Sequence, residues 1–267
     1  MIRTEERKLL APEKEGDRCA IIEVRHLTHR FDSGQGGIFD ISLSIAKGEF
    51  VLVAGANGSG KTTLLRHLNG LLLPQQGEVS VDGISVKKDP AKARRKVGMV
   101  FQDTDSQIVG QTVYEDVAFG PENLCWKRAT IDQTVRRVLT EFDLAHLSDQ
   151  SPHLLSGGER RRLTIAGVLA MRPEVLVMDE PFTNLDYPGV KQILTHIVRL
   201  HRQGHTIVLA AHDLEKVGDL AQRIVIMSKG CVAADGPILE VLPQVERFDI
   251  RPPCALRYGK AVASWLS

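Results

Sequence analysis

Apolar residues recur with two different periods along this chain, and those periods divide it into segments before any single residue type is considered. From residue 20 to 54 the pattern is alternating or continuous. "AIIEVRHLTHRF" and "ISLSIAKGEFVLVAG" are β-rich and are broken by the loop "DSGQGG". Ile41, Leu43 and Ile45 alternate with Ser42, Ser44 and Ala46, as on a half-buried antiparallel strand. Residues 77–86, "GEVSVDGISV", read as a short strand pair turning at Asp82-Gly83, and "VGMVFQ" (97–102) as a further apolar strand. Leu64, Leu65, Leu68, Leu71 and Leu72 fall at helical spacing, and Pro74 marks the exit. Residues 103 to about 153 change character and predict a mostly helical insertion. Its clearest helix runs over 131–142, with Ile131, Val135, Val138, Leu139 and Phe142 on one face and Thr130 and Gln133 at capping-box spacing. Strand and helix then alternate: "VLVM" (175–178), a helix near 188–202, "TIVLAA" (206–211), a helix near 213–221, and a hairpin around Lys229-Gly230. Such alternation implies a parallel sheet. The fold class is α/β, with a mainly parallel central sheet, an antiparallel β subdomain and a helical insertion.

Composition removes several function classes. The 267 residues are 43% hydrophobic and 25% charged, which suits a chain with a substantial core. A net charge of +1 gives no broad surface for nucleic acid, and the basic runs Arg94-Arg95-Lys96 and Arg160-Arg161-Arg162 are short; the first reads as a solvated helix face. The four cysteines are scattered without a C-x-x-C pair, which argues against a zinc site or a disulfide framework and suits a reducing cytosol. No apolar stretch approaches the length of a bilayer span, and the mixed-charge residues 1–19 lack a signal-peptide core and read as a flexible lead-in.

The candidate chemistry begins directly after the apolar run Phe50–Ala54, with "GANGSGKTT". A flexible turn would use the glycines but has no need of the lysine and hydroxyls. A phosphate cradle uses all of them. Gly55, Gly58 and Gly60 can adopt backbone angles that turn successive N–H groups into one concavity, and a helix N-terminus follows. The spacing is G-x-x-x-x-G-K-[ST], in which Lys61 reaches the terminal phosphates and Thr62 binds Mg²⁺. The run Val175–Met178 ends in Asp179-Glu180, at the strand end where open α/β sheets hold ligands. Asp179 is placed to hold Mg²⁺ through a water and Glu180 to polarise an attacking water; acids decorating a helix N-terminus, with Pro181 next, are the alternative. His212 and Gln102 also end apolar strands, the first a candidate γ-phosphate contact, the second a neutral oxygen for metal or water. Ser156-Gly157-Gly158 opens an apolar-faced helix carrying Leu163, Ala166, Val168 and Leu169, a second anion-binding N-terminus. One nucleotide has one γ-phosphate, so the second cradle is expected to serve a neighbouring subunit.

The order of these motifs resembles that of ATP-binding-cassette (ABC) ATPases: P-loop, glutamine loop, "LSGGE" signature (155–159), Walker B carboxylates, "NLD" loop and switch histidine. The resemblance covers roughly 20–242, with a helical subdomain at about 103–165 and a C-terminal extension at 243–267. It implies that Phe31 stacks on adenine, and that Gly55, Ala56, Asn57, Gly58, Ser59, Gly60, Lys61, Thr62 and Thr63 form the phosphate loop. It further implies that Gln102 links the metal to a membrane partner, that Asp186 communicates between subunits, and that Glu180 and His212 are base and switch. Two positions depart from the pattern: Glu159 stands where Gln is common, so its side chain is expected to turn away from phosphate, and Phe182 stands where Thr is common. "GMVFQDTDSQIVGQTVYEDVAFGPENL" and "IAGVLAMRPEVLVMDEPFTNLD" resemble the ATPase component of energy-coupling-factor importers of the cobalt/nickel and vitamin type. That resemblance implies ATP and Mg²⁺ as cofactors and a second ABC ATPase subunit in a homo- or heterodimer. It also implies a transmembrane coupling protein, a membrane substrate-binding component, and a peripheral place on the cytoplasmic face of the membrane. Ile108, Val109, Val113 and Tyr114 suit either a groove for a coupling helix or ordinary packing. Two alternatives remain: an ABC switch without transport, and the ABC ATPase of an exporter or of a different importer. DNA-repair types carry a long coiled coil between P-loop and signature, whereas about 95 residues separate Lys61 from Ser156 here.

Overall fold

Continuous apolar runs with no polar face are stable only where both faces are covered, and here both are. The computed structural model describes residues 19–31 and 36–266; the expectation for 1–18, and for most of the loop at 32–37, lies outside the described residues. Strands β1 (Ala20–Arg30), β2 (Gly37–Ala46), β4 (Gln76–Val81) and β5 (Ile84–Ser85) form an antiparallel sheet in the order β2-β1-β4-β5. Strands β3 (Phe50–Ala54), β6 (Val97–Val100), β7 (Val175–Asp179), β8 (Thr206–Ala211), β9 (Arg223–Ser228) and β10 (Cys231–Pro237) form a second sheet in the order β10-β9-β3-β8-β7-β6. All its neighbours are parallel except β9 and β10, the hairpin turned by Lys229 and Gly230.

Alternation is hidden inside the continuous runs. Phe50, Leu52, Leu176 and Met178 point into one core with the helices; Val51, Val53, Val175 and Val177 point into another, shared with the antiparallel sheet and α1 (Lys61–Leu68). The helix-side core is built from α3 (Val113–Asn123), α4 (Arg128–Glu141), α5 (Gly157–Ala170) and α6 (Tyr187–Arg202), while α2 (Pro90–Lys96) lies on the other side with Ala93 buried. The α5 helix comes so close to β6 that a Cβ at Gly98 would stand 2.3 Å from Val168 Cγ1. Only glycine admits that approach without displacing the helix.

Three expectations are corrected. Residues 213–221 are a series of turns, not a helix. The Asp213 carboxylate accepts the Glu215 N–H at 3.1 Å, a local bond that competes with helical pairing, although Leu214, Val217 and Ala221 are buried at near-helical spacing. The helix expected at 131–142 begins at Arg128 behind Lys127, so Thr130 lies inside its first turn and caps nothing. The helix after the glycine loop stops at Leu68; Gly70, at φ 72°, turns the chain, leaving Leu71 exposed and Leu72 half-buried. The insertion is helical as expected but opens irregularly, and Gly120 and Pro121 blur the period of its first helix, α3. Its start was nonetheless signalled by Thr112 and Glu115, which form a complete capping box.

Candidate functional site

Strand register assembles the site. Ala54 pairs with Ala211 and Asp179 with Ala210, so the residues that follow each strand, Gly55, His212 and Glu180, leave the sheet at one level and on one edge. The glycine loop is tightly determined: a Cβ at Gly55 would lie 2.4 Å from the Met227 carbonyl oxygen, and Gly60 takes φ 104° against Ile38. Ala56, Asn57 and Gly58 form the exposed crest, while Ser59 is buried with its Oγ unpartnered. The α1 helix starts at Lys61, so the N–H groups of Lys61, Thr62 and Thr63 have no acceptor inside the helix.

The side chains converge. Lys61 is 6% exposed; its Nζ donates to the Gly55 carbonyl at 2.8 Å and the Ala56 carbonyl at 3.2 Å, and stands 3.7 Å from Glu180 Oε1. The Thr62 hydroxyl donates to Asp179 Oδ2 at 2.7 Å, and the other Asp179 oxygen is buried with no partner. Burial pushes the Asp179 carboxyl above the usual range; the Thr62 bond pulls it back and the Glu180 charge pushes it further. Glu180 leaves the strand at φ 46°, a left-handed turn that costs a bulky residue about 1–3 kcal/mol. Its N–H is bonded to the Ala210 carbonyl at 3.0 Å, and its Oε2 lies 2.8 Å from His212 Nδ1. Lysine, hydroxyl, two carboxylates and a histidine thus form one connected cluster.

The other residues singled out in the sequence stand outside that cluster. Phe31 is 41% exposed and edge-on to His29 at 5.1 Å; His29 in turn meets His67 of α1 at 4.9 Å, which ties Phe31 to the glycine-loop helix. Gln102 is exposed, and its side chain makes no hydrogen bond among the described residues. Ser156 caps α5: its Oγ accepts the Glu159 N–H, and the Glu159 carboxylate accepts both Ser156 N–H and Oγ–H at 2.7 Å. Those bonds hold the Glu159 carboxyl below its usual range and turn its charge back onto the cap. Gly157 shares a cleft of about 370 Å³ with Gln102, Arg160, Arg161, Thr183 and Asn184. Asp186 caps α6 by accepting the Gly189 N–H at 2.9 Å. Phe182 packs into the helix-side core. Of the apolar set after the glutamine loop, Val113 is buried, Ile108 and Tyr114 are partly buried, and Val109 is 57% exposed.

Two contributors were not recognised from the sequence. Asp116 is buried on α3 and accepts the N–H groups of Val109 and Gly110 at 2.7 and 3.0 Å, fixing the end of the glutamine loop. Arg161 is also buried, although it sits in a basic run of ordinary appearance. Only its place two residues after the signature could have marked it.

A family model for ABC transporters matches residues 38–183, more than half of the chain. The chain belongs to the ABC transporter family. It is 41% identical over 242 residues to the cobalt import ATP-binding protein CbiO of Rhodobacter capsulatus, covering 88% of this chain and 86% of that protein. It is 40% identical over 239 residues to the energy-coupling factor transporter ATP-binding protein EcfA of Methanothermobacter thermautotrophicus, covering 87% and 77%. Among solved structures, CbiO1 of Clostridium perfringens, described as part of the ABC transporter complex CbiONQ, superposes with a TM-score of 0.76 at 34% identity, covering 85% of this chain and 95% of that one. This ABC protein binds ATP and couples its hydrolysis to transport. Among its described residues no helix is long and apolar enough to cross a membrane.

Proposed function

We propose that this chain is the ATP-hydrolysing subunit of an importer of the energy-coupling-factor type, taking cobalt or nickel ions or a vitamin as cargo. In this reading it sits peripherally on the cytoplasmic face of the membrane, paired with a second ABC ATPase and joined to a transmembrane coupling protein and a membrane substrate-binding component. The observation that carries the catalytic part is the contact network Lys61–Glu180–His212 at the carboxyl edge of β3, β7 and β8. The names of the relatives and the glutamine-loop sequence support the importer part.

The residues present fit ATP with Mg²⁺. Thr62 Oγ1 and the unpartnered Asp179 oxygen are hard oxygen donors side by side, as Mg²⁺ requires, and the buried Asp179 gains from a cation what desolvation takes from it. Mg²⁺ bound there supplies neutralisation of phosphate charge. The loop N–H groups and Lys61 Nζ orient the terminal phosphates, Glu180 takes the proton of the attacking water, and His212 holds the Glu180 carboxylate in place. Phe31 offers an aromatic face to adenine, and we assign Gln102 the link between the metal site and the membrane partner. The capped N-terminus at Ser156-Gly157-Gly158 and the Asp186 loop serve the ATP of the neighbouring cassette. The ATPase unit spans about 20–242.

Affinity capture of the tagged chain from its own detergent-solubilised membranes tests the importer reading. Recovery with a second ABC ATPase and a hydrophobic coupling protein is expected. Recovery with ribosomes or DNA instead would refute it.

A further inference from the structure

Arg161 is 3% exposed, lies one turn into α5, and reaches the point where β6 ends. Its Nη1 donates to the Phe101 carbonyl and its Nη2 to the Gln102 carbonyl, each at 2.7 Å. The ladder between β6 and β7 stops at Val100 opposite Met178, so these are the first two carbonyls beyond the sheet. A guanidinium is a flat fork of parallel N–H groups and matches two adjacent acceptors, which an ammonium cannot do. Phe101 is held from its other side as well. Its N–H donates to Gln107 Oε1 at 2.9 Å, and Gln107 Nε2 donates to the Met99 carbonyl at 3.1 Å.

A buried arginine is ordinarily paired with a carboxylate, yet among the described residues this one is in no ion pair. Burial lowers its pKa to about 10, opposed by the charges of Asp103 and Asp179. The backbone at 101–102 is fixed to α5, while the Gln102 side chain alone is left exposed and unbonded.

We propose that Arg161 is a positioning residue for turnover: by pinning the Phe101 and Gln102 carbonyls to the signature helix, it makes helix and glutamine loop move as one body and delivers the Gln102 side chain to the metal–phosphate site. This rests on the role given to Gln102 above. It predicts a specific non-additivity, because a group that acts through Gln102 has nothing left to position once that amide is gone.

The test is a double-mutant cycle on the kcat for MgATP hydrolysis, using the protein with its partner cassette. The variants are Gln102→Ala, Arg161→Met and the pair, with Arg161→Lys alongside. Gln102→Ala is expected to lower kcat about 10–100-fold, the scale of a misplaced reacting group. Arg161→Met should fall into the same range with the KM for ATP little changed, and the double variant should be no slower than Gln102→Ala alone. Arg161→Lys, able to reach one carbonyl, should recover part of the rate; if the Met variant does not fold, the Lys variant takes its place in the cycle. A double variant slower by the product of the two single effects would overturn the proposal, as would a wild-type kcat in Arg161→Met. A wild-type kcat in Gln102→Ala would instead refute the role of Gln102, and the proposal with it.

Discussion

Replacing Glu180 by glutamine is expected to lower ATP turnover about 10²–10⁴-fold while leaving ATP affinity within about threefold, the signature of a lost general base. The substitution keeps the volume and one acceptor oxygen, so the left-handed turn at Glu180 and its backbone bond to Ala210 persist. What it removes is the carboxylate, 9% exposed and held between His212 at 2.8 Å and Lys61 at 3.7 Å. A water loses its proton to a carboxylate and not to an amide. Single-turnover hydrolysis with a parallel measurement of nucleotide binding separates the two effects, and full steady-state hydrolysis would sink the base assignment.

Lys61→Ala is expected to act on the other side of that division, weakening ATP binding about 10–150-fold, the range for losing hydrogen bonds to a charged group. The Lys61 ammonium lies inside the loop, on the Gly55 and Ala56 carbonyls. Its removal takes a cation from the phosphates, leaves two carbonyls without their donor, and leaves Glu180 without its neighbouring positive charge. Titration with a fluorescent ATP analogue reads the loss. Unchanged affinity would show that Lys61 holds the loop and not the nucleotide. Together the two variants separate binding from chemistry in a cluster where the groups touch.

What the sequence made legible follows from how strongly each signal was constrained. The strands were plain because a run such as Val175–Met178 has no soluble alternative to burial on both faces, and the residues at the strand ends followed from that. The glycine loop was legible because its spacing has a steric cause, visible in the close approach at Gly55. Segment 213–221 misled because Leu214, Val217 and Ala221 are buried at a helical interval by a chain that turns instead. The α3 helix was missed although its capping box was in view, since its interior holds Gly120 and Pro121. Arg161 and Asp116 were beyond composition altogether: each is a charge spent on backbone groups distant in sequence or across a loop, and only the fold reveals what it holds. Glu159 was expected to turn from phosphate; what the fold adds is its attachment to Ser156, which makes it part of the cap.

The central claim is that the cluster around Lys61 and the N-terminus at Ser156 complete each other only across two cassettes. No hydrogen bond or ion pair joins Ser156, Gly157, Gly158 or Asp186 to Lys61, Thr62, Asp179 or Glu180 among the described residues. The most direct test is turnover per chain, measured while mass determination in the same samples follows the protein from dimer to monomer by dilution. The account predicts that hydrolysis per chain falls towards zero with the dimer fraction and returns on adding the partner cassette. Undiminished hydrolysis by a verified monomer would contradict it.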